Sequence, residues 1–218
     1  ECRQEILYFK NTILHHFLLP SIIGGAWINL FSGRLKDENE LKAFFFAQRA
    51  QLKHEFYLPT LNEFIVKGLN IISKTIGREI MDYEELVNLG HEDLYTIASK
   101  IGIFTRALSY IYEAYYVSAV SLSELQSKNP QGFKIDAYYK KFKEIHEAER
   151  SLGRIIRYPE SHSVPLYKSA LKYFTHDGPV TNTSGTLQVV DRDKLNQYIK
   201  KIERDLNDQL TLNIRVVN

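Results

Sequence analysis

With 218 residues the chain can hold one large domain or two small ones, and 44% hydrophobic against 25% charged residues excludes a disordered polypeptide. A net charge of +2 leaves no electrostatic footprint for a dedicated nucleic-acid binder, so no nucleic acid is expected among the partners. The single Cys2 cannot close an internal disulfide, which suits a reducing compartment, and Glu1, Arg3 and Glu5 ahead of the first apolar run do not read as a secretory leader.

In chain order, the first feature is a run of 23 positions, Asn11 to Gly33, without Asp, Glu, Lys or Arg. The length meets the roughly 20-residue requirement of a bilayer span. His15, His16, Pro20, Gly24, Gly25 and Asn29 suit such a span poorly, so the run reads first as a core helix bent at Pro20. A membrane-surface or partner-facing segment stays open as the second reading. In that case Leu14, Phe17, Leu18, Ile22, Ile23, Trp27 and Phe31 form an exposed apolar surface through which two copies could pair as a homodimer. Asn11 and His15 are candidate structural or interdomain polar positions within it. His15 and His16 are adjacent and cannot share a helix face, which argues against a metal pair.

Asp37-x-x-Glu40 and Thr60-x-x-Glu63 are capping boxes, each opening an apolar helix, and Asp82-x-x-Glu85 opens a short one. From Glu92 to Leu125 the apolar residues Leu94, Ile97, Ile101, Phe104, Leu108, Ile111, Tyr115, Ala119 and Leu122 keep a three-four spacing. That stripe predicts one central α-helix. Glu113 is the only formal charge between Ala107 and Ser123, so it is expected to be buried against a polar partner. A contact with a neighbouring domain is its functional alternative.

Asn129-Pro130-Gln131-Gly132 reads as a linker. It divides an apolar helical bundle, 1–128, from a helical extension, 129–218, the two packed together as one unit. In the extension Lys140, Lys141, Arg150 and Arg154 could face lipid headgroups, although Glu144, Glu147 and Glu149 among them suit an ordinary solvated face. This helix is expected to run to Tyr158, before Pro159. The elbow Glu160-Ser161-His162-Ser163 follows, with Ser161 and Ser163 as candidate N-caps of a helix starting near Pro165. Val180 and Leu187–Val190 flank Asn182-Thr183-Ser184-Gly185 as a hairpin. Its tip has no Lys or Arg, unlike a DNA-binding wing. Asp191 caps a last helix to about Leu210, and the alternation in Leu212–Val217 reads as a stray strand. The fold class is therefore mainly α: an irregular multi-helix bundle with a small C-terminal helix–hairpin–helix subdomain.

Gly153-x-Ile155, Pro159-Glu160-Ser161-x-Ser163 and Ala170-Leu171 in this order resemble the C-terminal region of the glycerol-3-phosphate acyltransferases and their dihydroxyacetone-phosphate relatives. Ile6–Ser21 and Tyr112–Leu122 resemble two further segments of that family, in the expected order. Phe44–Pro59 is a weaker echo. Tyr116 stands where Trp is expected and Ser169 where Asn is usual. The family's catalytic signature is a His followed five residues later by Asp, the His acting as general base. None of His15, His16, His54, His91, His146, His162 or His176 has that Asp. His54 and His91 also lack the second His of a zinc-protease motif.

The resemblance thus implies a non-catalytic region, inactive alone, whose catalytic half lies upstream and is its main partner. The whole enzyme would acylate the sn-1 hydroxyl of glycerol 3-phosphate at the cytoplasmic side of a membrane, this region itself being soluble. No cofactor and no metal are expected. Glu160 and Ser161 join Asn11, His15 and Glu113 as candidate structural or interdomain polar positions. A helical protein- or membrane-interaction module unrelated to acyl transfer is the alternative.

Overall fold

The computed structural model describes residues 2–155, 160–176 and 178–216, with side chains from residue 14 to residue 208 except those of 15 and 160. Among them the chain is mainly α-helical, with one small antiparallel sheet. It divides into two compact units, residues 1–108 with 208–218, and residues 109–207. The boundary expected after residue 128 falls inside the second unit.

The first unit contains α1 (Cys2–Phe31), α2 (Glu38–Leu52), α3 (Leu61–Ile76), α4 (Tyr83–Val87), α5 (His91–Ile101) and a 3-10 turn, Gly102–Arg106. Three of these helices open on the expected caps. Asp37 accepts from Glu40 N at 2.8 Å and Asp82 from Glu85 N at 2.9 Å. Thr60 and Glu63 form the full reciprocal box. α1 stays helical through Pro20 and packs on α2, α3, α5 and the 3-10 turn. Leu14, Leu18, Ile22, Ile23 and Trp27 are buried, Phe17 is half-buried against Phe104 at 4.9 Å, and only Phe31 stands clearly exposed. The run is therefore mostly core, as its first reading has it, and the exposed apolar surface of the second reading is corrected: it shrinks to Phe31 and part of Phe17. Burial of each such side chain is worth about 1.5–3 kcal/mol, so the run stabilises the unit internally. None of the described helices is long and apolar enough to cross a membrane.

The approach of α1 to the 3-10 turn is very close. Ser21 Oγ donates to the Phe104 carbonyl at 2.6 Å, and a Cβ on Gly24 would lie 2.4 Å from Thr105 Cγ2. Thr105 Oγ1 in turn donates to the Gly102 carbonyl at 2.7 Å. This local bond competes with regular helix geometry and helps hold the tighter turn. The single central helix expected from Glu92 to Leu125 is thus broken at Gly102, and its two halves fall in different units.

The second unit is built on α6 (Ser109–Lys128), which packs against α7 (Ile135–Ser151) and α8 (Val164–His176). α6 is buried nearly all round, and its Ala114, Ser118, Ala119 and Ser121 leave room for close neighbours. β1 (Phe133–Lys134), β2 (Val180–Thr183) and β3 (Thr186–Val189) form an antiparallel sheet in the order β1-β3-β2, with Phe133 opposite Leu187 and Asn182 opposite Leu187. Ser184 and Gly185 take φ of 51° and 80°, as a two-residue type I′ hairpin turn requires. Gln126 ties α6 to the sheet: its Oε1 accepts from Val189 N at 2.7 Å, while its Nε2 donates to the Pro130 carbonyl at 2.8 Å.

α7 ends at Ser151, earlier than the Tyr158 expected from Pro159. Gly153 at φ 73° donates to the Arg150 carbonyl at 2.9 Å, and Arg154 N to the Glu149 carbonyl at 3.0 Å, a Schellman close. Tyr158 and Pro159 lie outside the described residues. α9 (Arg192–Val216) starts where Asp191 accepts from Lys194 N at 2.9 Å. It continues past Leu210, so the strand expected at Leu212–Val217 is helix as far as Val216. Leu195, Ile202, Leu206, Leu210 and Ile214 keep a helical stripe that overrides the short alternation.

Candidate functional site

The richest polar chemistry described lies inside the second unit, along the inward face of α7. Tyr138, Phe142, Ile145, His146 and Glu149 recur at helical spacing and are all buried. Tyr138 Oη donates to the Tyr167 carbonyl at 3.0 Å and lies 2.7 Å from Ser118 Oγ. This ties α7 to α6 and α8 at once, and burial holds the Tyr138 phenol well above its ordinary pKa despite the Ser118 bond. One turn on, Phe142 packs on Tyr167 at 4.7 Å and parallel to His162 at 6.3 Å.

His146 follows at the next turn. Its Nε2 lies 3.0 Å from Ser161 Oγ, and its ring stacks on His162 at 4.5 Å with 19° between planes. Ser161 is wholly buried within the 3-10 turn Glu160–His162. It is therefore an anchor between the elbow and α7, and the N-cap position before α8 falls to Ser163, whose carbonyl accepts from Leu166 and Tyr167 N. Burial, reinforced by the neighbouring His162, lowers the His146 pKa to about 4, so its imidazole is neutral near pH 7.

At the end of α7, Glu149 accepts from Tyr116 Oη at 3.4 Å and pairs with Arg154 at 3.3 Å. Arg154 also lies 3.9 Å from Glu203. Burial raises the Glu149 pKa above the ordinary carboxylate value, with Arg154 pulling it back. Tyr116, at the position where Trp was expected, thus uses its hydroxyl within this cluster.

A Ser–His pair at 3.0 Å has the geometry of an activated nucleophile. Ser161, however, has no exposed surface, and His146 Nδ1 has no acidic partner to orient it. The pair joins the elbow to α7 from within the packed interior.

The structure brings Ser161 to His146 and Arg154 to Glu149 and leaves the other expected positions outside these contacts. Glu113, on α6, is 3% exposed and is not without a partner. Asn11 and His15 belong to α1, and Glu160 opens the 3-10 turn; their side chains lie outside the described set. Lys140 is exposed. Lys141 bridges Glu124 at 2.8 Å, Arg150 lies 3.4 Å from Glu147, and Arg154 is held as above. His146 and His162 were not singled out from the sequence. The available signal was the spacing of Tyr138, Phe142 and His146 on one face of α7.

Fold and cluster together define a mainly helical region with a small sheet and a buried Ser161–His146 contact at the elbow before α8. The chain belongs to the family of the glycerol-3-phosphate acyltransferase C-terminal region, which matches residues 3–183 and ends with β2, leaving β3 and α9 outside the match. No curated protein and no solved structure matches the chain.

Proposed function

We propose that this chain is a non-catalytic C-terminal helical region of a glycerol-3-phosphate acyltransferase, the enzyme that acylates the sn-1 hydroxyl of glycerol 3-phosphate in phospholipid synthesis. The observation that carries this reading is the family match over residues 3–183 in a chain without a His-x4-Asp motif. The region serves the catalytic half as a docking and positioning partner. Exposed Phe31, Phe46, Tyr57, Met81 and Tyr95 in the first unit offer apolar contacts for it. The pairing of Lys141, Arg150 and Arg154 with acids argues that a membrane, if this region meets one, is met mainly through other surfaces.

The test has two arms. The purified chain, given acyl-CoA and glycerol 3-phosphate, is expected to release no more CoA than an inert protein of the same size. The coding sequence ahead of Glu1 is expected to specify a His-x4-Asp motif. Acyl transfer by the chain alone, or a natural protein without that motif, overturns the reading.

A further inference from the structure

The two imidazoles beside Ser161 leave a hydrogen-bonding imbalance. His146 Nδ1 and His162 Nε2 are both buried and neither has a hydrogen-bond partner. Buried polar atoms are rarely left so. Two of them on rings stacked at 4.5 Å call for a shared ligand. Although His146 and Glu147 are adjacent on α7, one nitrogen from each ring and one carboxylate oxygen of the Glu147 side chain lie within 4.8 Å of one another. We propose that His146, His162 and Glu147 bind a divalent transition-metal ion of the Zn2+ class, which clips the Glu160–His162 elbow onto α7.

The donor set decides the class of ion. Two imidazole nitrogens and one carboxylate oxygen suit Zn2+, with water completing a four-coordinate shell, whereas Mg2+ and Ca2+ require oxygen ligands. The second layer also fits. In the tautomer with hydrogen on Nε2, His146 donates to Ser161 Oγ at 3.0 Å and keeps a lone pair on its unpartnered Nδ1 for the ion. Metal-bound histidines are regularly fixed in this way through their other nitrogen. Zn–N bonds of roughly 2.0–2.1 Å set tetrahedral ligand atoms about 3.4 Å apart, so the three groups draw together and the two rings tilt toward each other on binding. His162 is only half-buried and can supply that movement. The ion enters past Glu147, whose side chain is 59% exposed. Its exposed contact with Arg150 is worth at most about 1 kcal/mol and gives way.

The test is calorimetric titration of the chelator-stripped chain with ZnCl2 at neutral pH, with MgCl2 as the comparison and Co2+ absorbance as a report on geometry. The expected result is about one Zn2+ per chain, a higher melting temperature with Zn2+, no response to Mg2+, and tetrahedral Co2+ bands. His162→Gln is expected to weaken binding at least about 100-fold. Ser161→Ala acts through His146 and is expected to weaken it by about 10–100-fold. Glu147→Gln changes an exposed residue and should leave the helical circular dichroism intact, which guards against a variant that fails to fold. It is expected to weaken binding by at least about 10-fold. Absence of saturable Zn2+ binding up to roughly 100 μM overturns the proposal, as does an affinity unchanged by Glu147→Gln or His162→Gln.

Discussion

Ser161 shows how one hydroxyl can be read in two ways. Its place just before a helix suits a cap, and a cap side chain is normally partly solvated. In the fold it is wholly buried, 3.0 Å from His146 Nε2. Removing the hydroxyl leaves both nitrogens of a buried imidazole without a partner, since Nδ1 already lacks one. Ser161→Ala is therefore expected to lower unfolding stability by about 1–3 kcal/mol in metal-free protein. Urea denaturation of the two proteins in chelator measures this. A change below about 0.5 kcal/mol would mean that the bond contributes little and that the elbow is held by packing alone. The sequence offered Ser161 as a cap and as a structural or interdomain polar position but not its partner, because His146 lies on another helix and leaves no local pattern. Glu113 was legible for the opposite reason: a lone charge in an apolar helix announces its own burial.

Among the elements, the contact of α1 with the 3-10 turn is the most exacting. A methyl group on Gly24 would meet Thr105 Cγ2 at 2.4 Å, and Thr105 is itself buried. Gly24→Ala is expected to cost about 1–3 kcal/mol by overpacking, in spite of the better helix propensity of alanine. Thr105→Ser removes the obstructing methyl and keeps the hydroxyl that bonds the Gly102 carbonyl. The double variant should accordingly recover at least half of the loss, a coupling visible in a double-mutant cycle of melting temperatures. Strict additivity would show that α1 shifts bodily instead. This contact also explains what the sequence concealed. The apolar spacing runs unbroken from Leu94 to Leu122, so periodicity alone gives one helix. The interruption depends on Thr105 and on the close approach of α1, both tertiary matters. Elements set by local chemistry were legible: the Asp37, Thr60, Asp82 and Asp191 caps occur where their residues place them, and so does the hairpin, although Asn182 and Thr183 of its expected connection belong to β2 and the turn is Ser184-Gly185 alone. The end of α7 was misplaced because Pro159 is conspicuous, whereas Gly153 acts first.

For the whole molecule, the buried phenols set an upper limit on the pH range of the fold. Burial raises the pKa of Tyr112, Tyr138 and Tyr198 far above the ordinary tyrosine value of about 10, and brings Tyr83 in the first unit to about 12. For an acid whose folded pKa is raised, the unfolded chain loses its proton first as pH rises. Stability is thus complete below about pH 10 and falls as pH climbs toward the folded values. Each such phenol contributes a slope of about 1.4 kcal/mol per pH unit, so the three in the second unit together remove about 4 kcal/mol per unit. A domain of ordinary stability, about 5–15 kcal/mol, then unfolds within one to a few units above pH 10. Tyrosinate absorbance and far-ultraviolet circular dichroism followed together from pH 9 upward test this. The expected outcome is a late, cooperative rise in tyrosinate coincident with loss of helix. Ionisation of all 14 tyrosines while the helical signal persists would show that the hydroxyls of Tyr112, Tyr138 and Tyr198 reach solvent without unfolding, contrary to their burial.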